Sequence, residues 1–145
     1  MIKRVHHIAI VVADLDAALQ TYRDHLGLTL TKRLLMPEQE VEIAFLPAGE
    51  SLIELIRPLN ETSGVARYLA SHGEGLHHIC LEVDSIERTL EELAERSVRL
   101  INKEPIRAAE GYGIFVHPKA VHGVLIEFLE PFTAPSSDAT TGLSP

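Results

Sequence analysis

The tetrapeptide His6-His7-Ile8-Ala9 recurs as His77-His78-Ile79-Cys80, 71 residues further on. Such a repeat constrains the architecture strongly, because each copy must be one supersecondary unit and the copies must bury their apolar faces together. A helical pattern follows each tetrapeptide. Leu15, Leu19, Tyr22 and Leu26 keep helical spacing in the first copy, and Ile86, Leu90 and Leu93 keep it in the second. Asp14 is placed to cap the first helix and Gly27 to end it. Asp84 or Ser85 would cap the second, with Asp84 and Glu87 spaced as a capping box. Each copy also closes on a matching apolar strand with one carboxylate: residues 52–59 match residues 125–132 at an offset of 73. Each half therefore reads strand, helix, three strands. The expected fold class is α+β, built from two tandem βαβββ modules at about 3–59 and 75–132. A linking helix is expected over about 62–73, capped by Ser63 and closed by Gly73. Residues 1–132 are read as a single domain, and residues 133–145, rich in Ser, Thr, Ala and Pro, as a disordered tail.

Strand alternation says where the polar groups point. Ile8, Ile10 and Val12 share one face, as do Ile79, Leu81 and Val83 in the second copy, and these should pack under the helices. His7 and His78 then occupy the other face, with the small residues Ala9 and Cys80 beside them, which suggests a cleft. Glu54 alternates with Ile53 and Leu55, and Glu127 with Ile126 and Phe128, so both carboxylates join the histidines if the sheet curls. Two imidazoles and two carboxylates converging from four strands suit a divalent cation, and the donor types admit Co, Mn, Ni, Fe or Zn. His6 and His77 fall on the parity of the helix-packed face and are expected to be structural or partly exposed.

Composition narrows the function classes. Thirteen basic against 21 acidic residues give a net charge of −8, which speaks against a nucleic-acid partner. No apolar run approaches the ~18 residues of a membrane span, and no signal-peptide core is visible. The single cysteine, Cys80, excludes an internal disulfide. A cytoplasmic location is the expectation.

The residues resemble the vicinal-oxygen-chelate superfamily of glyoxalases, bleomycin-resistance proteins and dioxygenases, over about residues 3–131. Within it, several stretches are similar to the methylmalonyl-CoA epimerase branch: residues 5–10, 37–43, 54–60, 75–79, 98–105, and His117-Pro118-Lys119 followed by residues 123–127. The resemblance implies a curved, cup-shaped mixed sheet with helices outside and a metal in the cup. It implies ligation by His7, Glu54, His78 and Glu127. It further implies epimerisation of an acyl-CoA substrate, methylmalonyl-CoA, through α-proton removal and a metal-stabilised enolate, with Glu42 and Glu127 as the two bases. Alternation agrees for Glu42 if Val41, Ile43 and Phe45 face the helices. A homodimer is also implied. Lys119 and Arg107 are candidates for CoA contacts by position, and Arg57 is a further one. The loop Ile106 to Gly113 and the turn Ala120-Val121-His122 depart from the branch pattern, which leaves the acyl preference open. The rival readings are a glyoxalase I-type lyase acting on a glutathione hemithioacetal, an extradiol dioxygenase, and a metal-free drug-binding protein of the same fold.

Overall fold

A computed structural model describes residues 1–133, so the expected tail lies, from residue 134 onward, outside the described residues. The order is β1 (Ile2–Val11), α1 (Leu15–Leu19), β2 (Lys32–Met36), β3 (Val41–Ala48), β4 (Ser51–Pro58), α2 (Gly64–His72), β5 (Gly75–Val83), α3 (Ile86–Glu95), β6 (Ile106–Arg107), β7 (Gly111–Val116) and β8 (Ile126–Pro131). Two strand–helix–three-strand modules therefore flank α2. They share one curled, mixed eight-stranded sheet in the order β2-β3-β4-β1-β5-β8-β7-β6. Within each module the first strand runs parallel to the last, β1 with β4 and β5 with β8. The modules meet where β1 and β5 pair antiparallel. That seam lies at the middle of the sheet and brings His7 and His78 together.

Helix α1 starts where the sequence places it, with the Asp14 carboxylate accepting from the Ala17 amide. Leu15 and Leu19 sink into a cluster with Val12, Ala44, Leu46 and Leu55, each burial contributing roughly 1.5–3 kcal/mol. Beyond Leu19 the chain widens into a π-helical turn, Gln20–His25. The Leu26 amide then bonds to the Thr21 carbonyl, five residues back. The wider turn rotates Leu26 off the apolar stripe, so it is 64% exposed, contrary to its helical spacing. Leu28 and Leu30 pack against the cluster instead. In the second module Ser85, rather than Asp84, caps α3 by accepting from the Arg88 amide. Asp84 pairs with Lys3. Ile86, Leu90 and Leu93 pack on Val83, Ile114 and Phe128 as their spacing predicts.

The outer strands approach each other across the concave side. Lys32 of β2 pairs with Glu110, just before β7, at 3.0 Å. The Gln39 side chain donates to the Arg107 carbonyl at 2.6 Å. These bonds tie the two edges of the sheet across a cavity of about 420 Å³.

Candidate metal centre and catalytic cup

The cup floor is built from equivalent positions of the two modules. His7 and His78 project from the seam strands, and Glu54 and Glu127 from β4 and β8. Ala9 is level with Glu54 and Cys80 with Glu127 in the parallel pairs. The small side chains of Ala9 and Cys80 leave the imidazoles and carboxylates room to meet. All four residues are at least 93% buried.

His7 Nε2 lies 3.1 Å from His78 Nε2. Glu127 Oε1 is 3.3 Å from the first and 3.1 Å from the second. Glu54 Oε1 stands at 3.6 and 4.0 Å. Ligand bonds of about 2.0–2.2 Å would set neighbouring donors roughly 3–3.6 Å apart, so the set matches a divalent cation with Glu54 moving slightly inward. The charges fit as well. Two buried carboxylates against two imidazoles form a costly cluster unless a cation completes it.

The two acids titrate in opposite directions. Burial works against ionisation of Glu127, but hydrogen bonds from His7 and His78 outweigh it and lower its carboxyl to about 2. Burial dominates at Glu54 and raises its carboxyl. His7 is raised: burial opposes its charge, and Glu54 and Glu127 more than offset that. Burial pushes the Cys80 thiol well up, so it stays protonated beside Glu127.

The cup walls are mostly apolar. Phe45 packs edge-on to the His7 ring at 6.2 Å and Phe115 to the His78 ring at 5.5 Å. They sit opposite Glu54 and Glu127 in their strand pairs, so they are repeat-related too. They are 70 residues apart, outside the offsets of 71 and 73, so only the strand pairing reveals the relation. Glu110 and Gln39 also line the cavity; the sequence marks the stretches that hold them, 106–113 and 37–43, without assigning either residue a role.

Glu42 is not in the cup. Alternation puts Val41, Ile43 and Phe45 under the helices, but all three line the cavity. Phe45 pairs directly with Glu54 and so shares its face. Ala44 and Leu46 are the helix-side residues of β3. Because β3 is apolar on both faces, its sequence carried no marker of which face was which. Glu42 lies on the outer surface, clamped by Arg57 at 2.8 Å and Arg33 at 3.0 Å. The Arg33 hydrogen bond, then that of Arg57, lowers its carboxyl.

The two CoA candidates also part company. Arg107 stands at the rim between the lining residues Ile106 and Ala108, with its guanidinium 4.5 Å from the Phe132 ring. Lys119 is exposed on a short 3₁₀ turn, Pro118–Ala120, and does not line the cavity. Arg57 is spent on Glu42.

Residues 6–116 match the family model of the glyoxalase/bleomycin resistance protein/dioxygenase superfamily, and the chain belongs to that superfamily. Its relatives there place it among the methylmalonyl-CoA epimerases. It is 36% identical to the human mitochondrial methylmalonyl-CoA epimerase, over 86% of this chain and 72% of that one. It is 38% identical to an ethylmalonyl-CoA/methylmalonyl-CoA epimerase of Cereibacter sphaeroides, over 88% and 97%. A Streptomyces coelicolor methylmalonyl-CoA epimerase solved with 2-nitronate-propionyl-CoA superposes with a TM-score of 0.87 at 33% identity, covering 94% of this chain and 99% of that one.

Proposed function

We propose that the protein is a metal-dependent epimerase that interconverts (2R)- and (2S)-methylmalonyl-CoA. The observation that carries this reading is the convergence of His7, Glu54, His78 and Glu127 on the floor of an open cavity that one more carboxylate, Glu110, also lines. The epimerases among its relatives support the choice of substrate. The four floor residues would hold Co, Mn, Ni, Fe or Zn. Such a cation supplies Lewis acidity that stabilises the negative charge developing on a thioester enolate.

The chain's own residues handle the proton. Glu127 is ionised, and its second oxygen, Oε2, lies over Gly113, where a β-carbon would stand 2.5 Å away. It is placed to take the α-proton from a substrate lying on the cup floor. Epimerisation needs a second group to return a proton to the opposite face. Glu42 points away from the cavity, so we assign this role to Glu110, whose side chain is 31% exposed; it would leave Lys32 and take a proton from water before passing it to the carbanion. In the reverse direction the two glutamates trade roles. The apolar walls keep bulk water from the carbanion, and Arg107 at the rim is the cation best placed for a CoA phosphate. We further infer a cytoplasmic homodimer. Among the described residues, no helix is long and apolar enough to cross a membrane.

The test is α-proton exchange. Cation-loaded protein is incubated with (2R)-methylmalonyl-CoA in D2O and followed by NMR, with an EDTA-treated control and a glutathione hemithioacetal as rival substrate. Cation-dependent deuterium uptake with inversion supports the proposal, and no exchange by fully loaded protein sinks it. Glu110→Gln should exchange the proton of one epimer while inversion slows by ~10²–10⁴-fold. Inversion at the wild-type rate would remove Glu110 from the mechanism.

A further inference from the structure

The residue before each candidate ligand histidine is also a histidine, and the backbone treats both in the same unusual way. Pairing along the seam runs Val5 with Leu81, then His7 with Cys80, so His6 is an extra residue in β1. On the other strand Ala9 pairs with His78 and Ile10 with Leu76, so His77 is an extra residue in β5. These are two of the three register shifts along the seam, and they fall at repeat-related positions of the two strands. A bulge breaks strict alternation and re-aims the side chain it carries. It explains why neither histidine stays on the helix-packed face that its parity assigned. His6 is 4% exposed, with a ring nitrogen grouped with those of His7 and the sulfur of Cys80. His77 lines the cup.

Both bulges produce the same contact. His6 Nδ1 lies 2.8 Å from His7 Nδ1, and His77 Nδ1 lies 2.8 Å from His78 Nδ1. The rings meet edge-on at 78° and 75°. Two Nδ1 atoms at this distance share one proton, and the chemistry of the centre says which carries it. A ligand imidazole that offers its Nε2 lone pair must be protonated at Nδ1. His7 and His78 each direct Nε2 at Glu127 Oε1 and at each other. Their Nδ1–H groups therefore donate outward, and the bulged neighbours must accept through bare Nδ1 atoms.

We propose that His6 and His77 are positioning residues that hold the ligand imidazoles of His7 and His78 in the Nδ1–H tautomer, with Nε2 aimed into the centre. This inference rests on the reading of His7 and His78 as metal ligands. Outer-shell partners of metal-bound histidines fix ring orientation and raise ligand basicity, and their loss typically costs ~10–100-fold in metal affinity. Here the partner is supplied by the preceding residue of the same strand, which a regular strand could not arrange. Each module thus carries its own orienting device. Tyr68 of α2 braces the His77 ring edge-on at 4.7 Å.

The experiment begins with the unaltered protein. Two-bond ¹H–¹⁵N correlation spectra of the zinc-loaded chain report the protonation of every imidazole nitrogen. A zinc-induced shift at Nε2 of His7 and His78 tests the ligand reading by itself. Given that shift, the proposal expects Nδ1–H on His7 and His78 and bare Nδ1 on His6 and His77. Protonated Nδ1 atoms on His6 and His77 overturn it. Variants then separate orientation from packing. His6→Leu and His77→Leu keep bulk but accept nothing, whereas in His6→Asn and His77→Asn the amide Oδ1 replaces the accepting nitrogen. The Leu variants should bind zinc ~10–100-fold more weakly, and the Asn variants should recover most of that loss. Zinc affinity unchanged in both Leu variants, or Asn variants as weak as the Leu ones, overturns the proposal. If a Leu variant does not fold, the wild-type tautomers and the Asn variants still decide it.

Discussion

The two modules put the same four-residue set in the same register, yet their acids behave differently. Glu127 reaches both imidazoles at 3.1–3.3 Å and is lowered to about 2, whereas Glu54 stands back at 3.6–4.0 Å and is raised by burial. One residue on the neighbouring strand also differs between the modules. Module two has Gly113 beside Glu127, and the carboxylate lies over the bare α-carbon. The equivalent position in module one is Ile43, which carries a buried side chain lining the same cavity as Glu54. A sequence repeat thus supplies symmetric donors, and a single glycine leaves room over its α-carbon for one of them, the proposed base.

The largest effect that would break this comparison comes from exchanging each acid for its amide. Glu127→Gln removes the anionic ligand closest to both histidines and the proposed base. Cation affinity, followed by calorimetric titration with zinc, should fall by more than the ~10–100-fold that loss of an outer-shell partner costs. α-Proton exchange should be lost as well. Glu54→Gln should stay within that ~10–100-fold range and retain exchange, because an amide oxygen can still ligate and Glu54 carries no proton in the mechanism. Equal losses in the two variants would show that the modules are equivalent after all.

The next effect tests the cause of the asymmetry. A β-carbon at position 113 would lie 2.5 Å from Glu127 Oε2, so Gly113→Ala must displace the carboxylate. Zinc affinity should drop by ~10-fold or more. Ile43→Ala is the counterpart in module one. It should cost about 2–5 kcal/mol of stability, read by urea denaturation, while zinc affinity stays at the wild-type level. If Gly113→Ala binds zinc normally, the space over residue 113 does not set the position of Glu127.

How much of this was legible follows from where polar residues interrupt apolar strands. Glu54 and Glu127 each stand alone between apolar neighbours in β4 and β8, so alternation assigned their face correctly. His7 and His78 were found through the repeat. Glu42 was misplaced because β3 is apolar on both faces, and only the pairing of Phe45 with Glu54 reveals which side is inside. Strict alternation also misplaced His6 and His77, because a β-bulge leaves no residue signature in these sequences. Glu110 comes to the cup through contact between the two edges of the sheet, a long-range closure that no local pattern encodes. Leu26 fell to a π-helical turn, which changes the period that the spacing argument assumed.

The smallest expected effect separates the inner and outer faces of one strand. Glu42 has a side chain only 13% exposed and is held by Arg33 and Arg57, which join β2 and β4 to β3. Arg33 also reaches Asp16 of α1 at 2.8 Å. This is a structural clamp, worth about 1 kcal/mol, the upper end for partly exposed ion pairs. Its pH dependence has a definite sign. The arginines depress the folded-state value below the ordinary 4.5. The clamp therefore contributes fully above about pH 4.5 and is lost as pH falls through the lower folded value. Glu42→Gln should be less stable than wild type at neutral pH, and the gap in urea midpoints should close on acidification. Cation-loaded Glu42→Gln should exchange and invert substrate at the wild-type rate at neutral pH, because the carboxylate lies behind the sheet from the cup. Loss of inversion with stability intact would mean that β3 turns Glu42 inward during turnover, and the division between a catalytic inner face and a clamped outer face would fail.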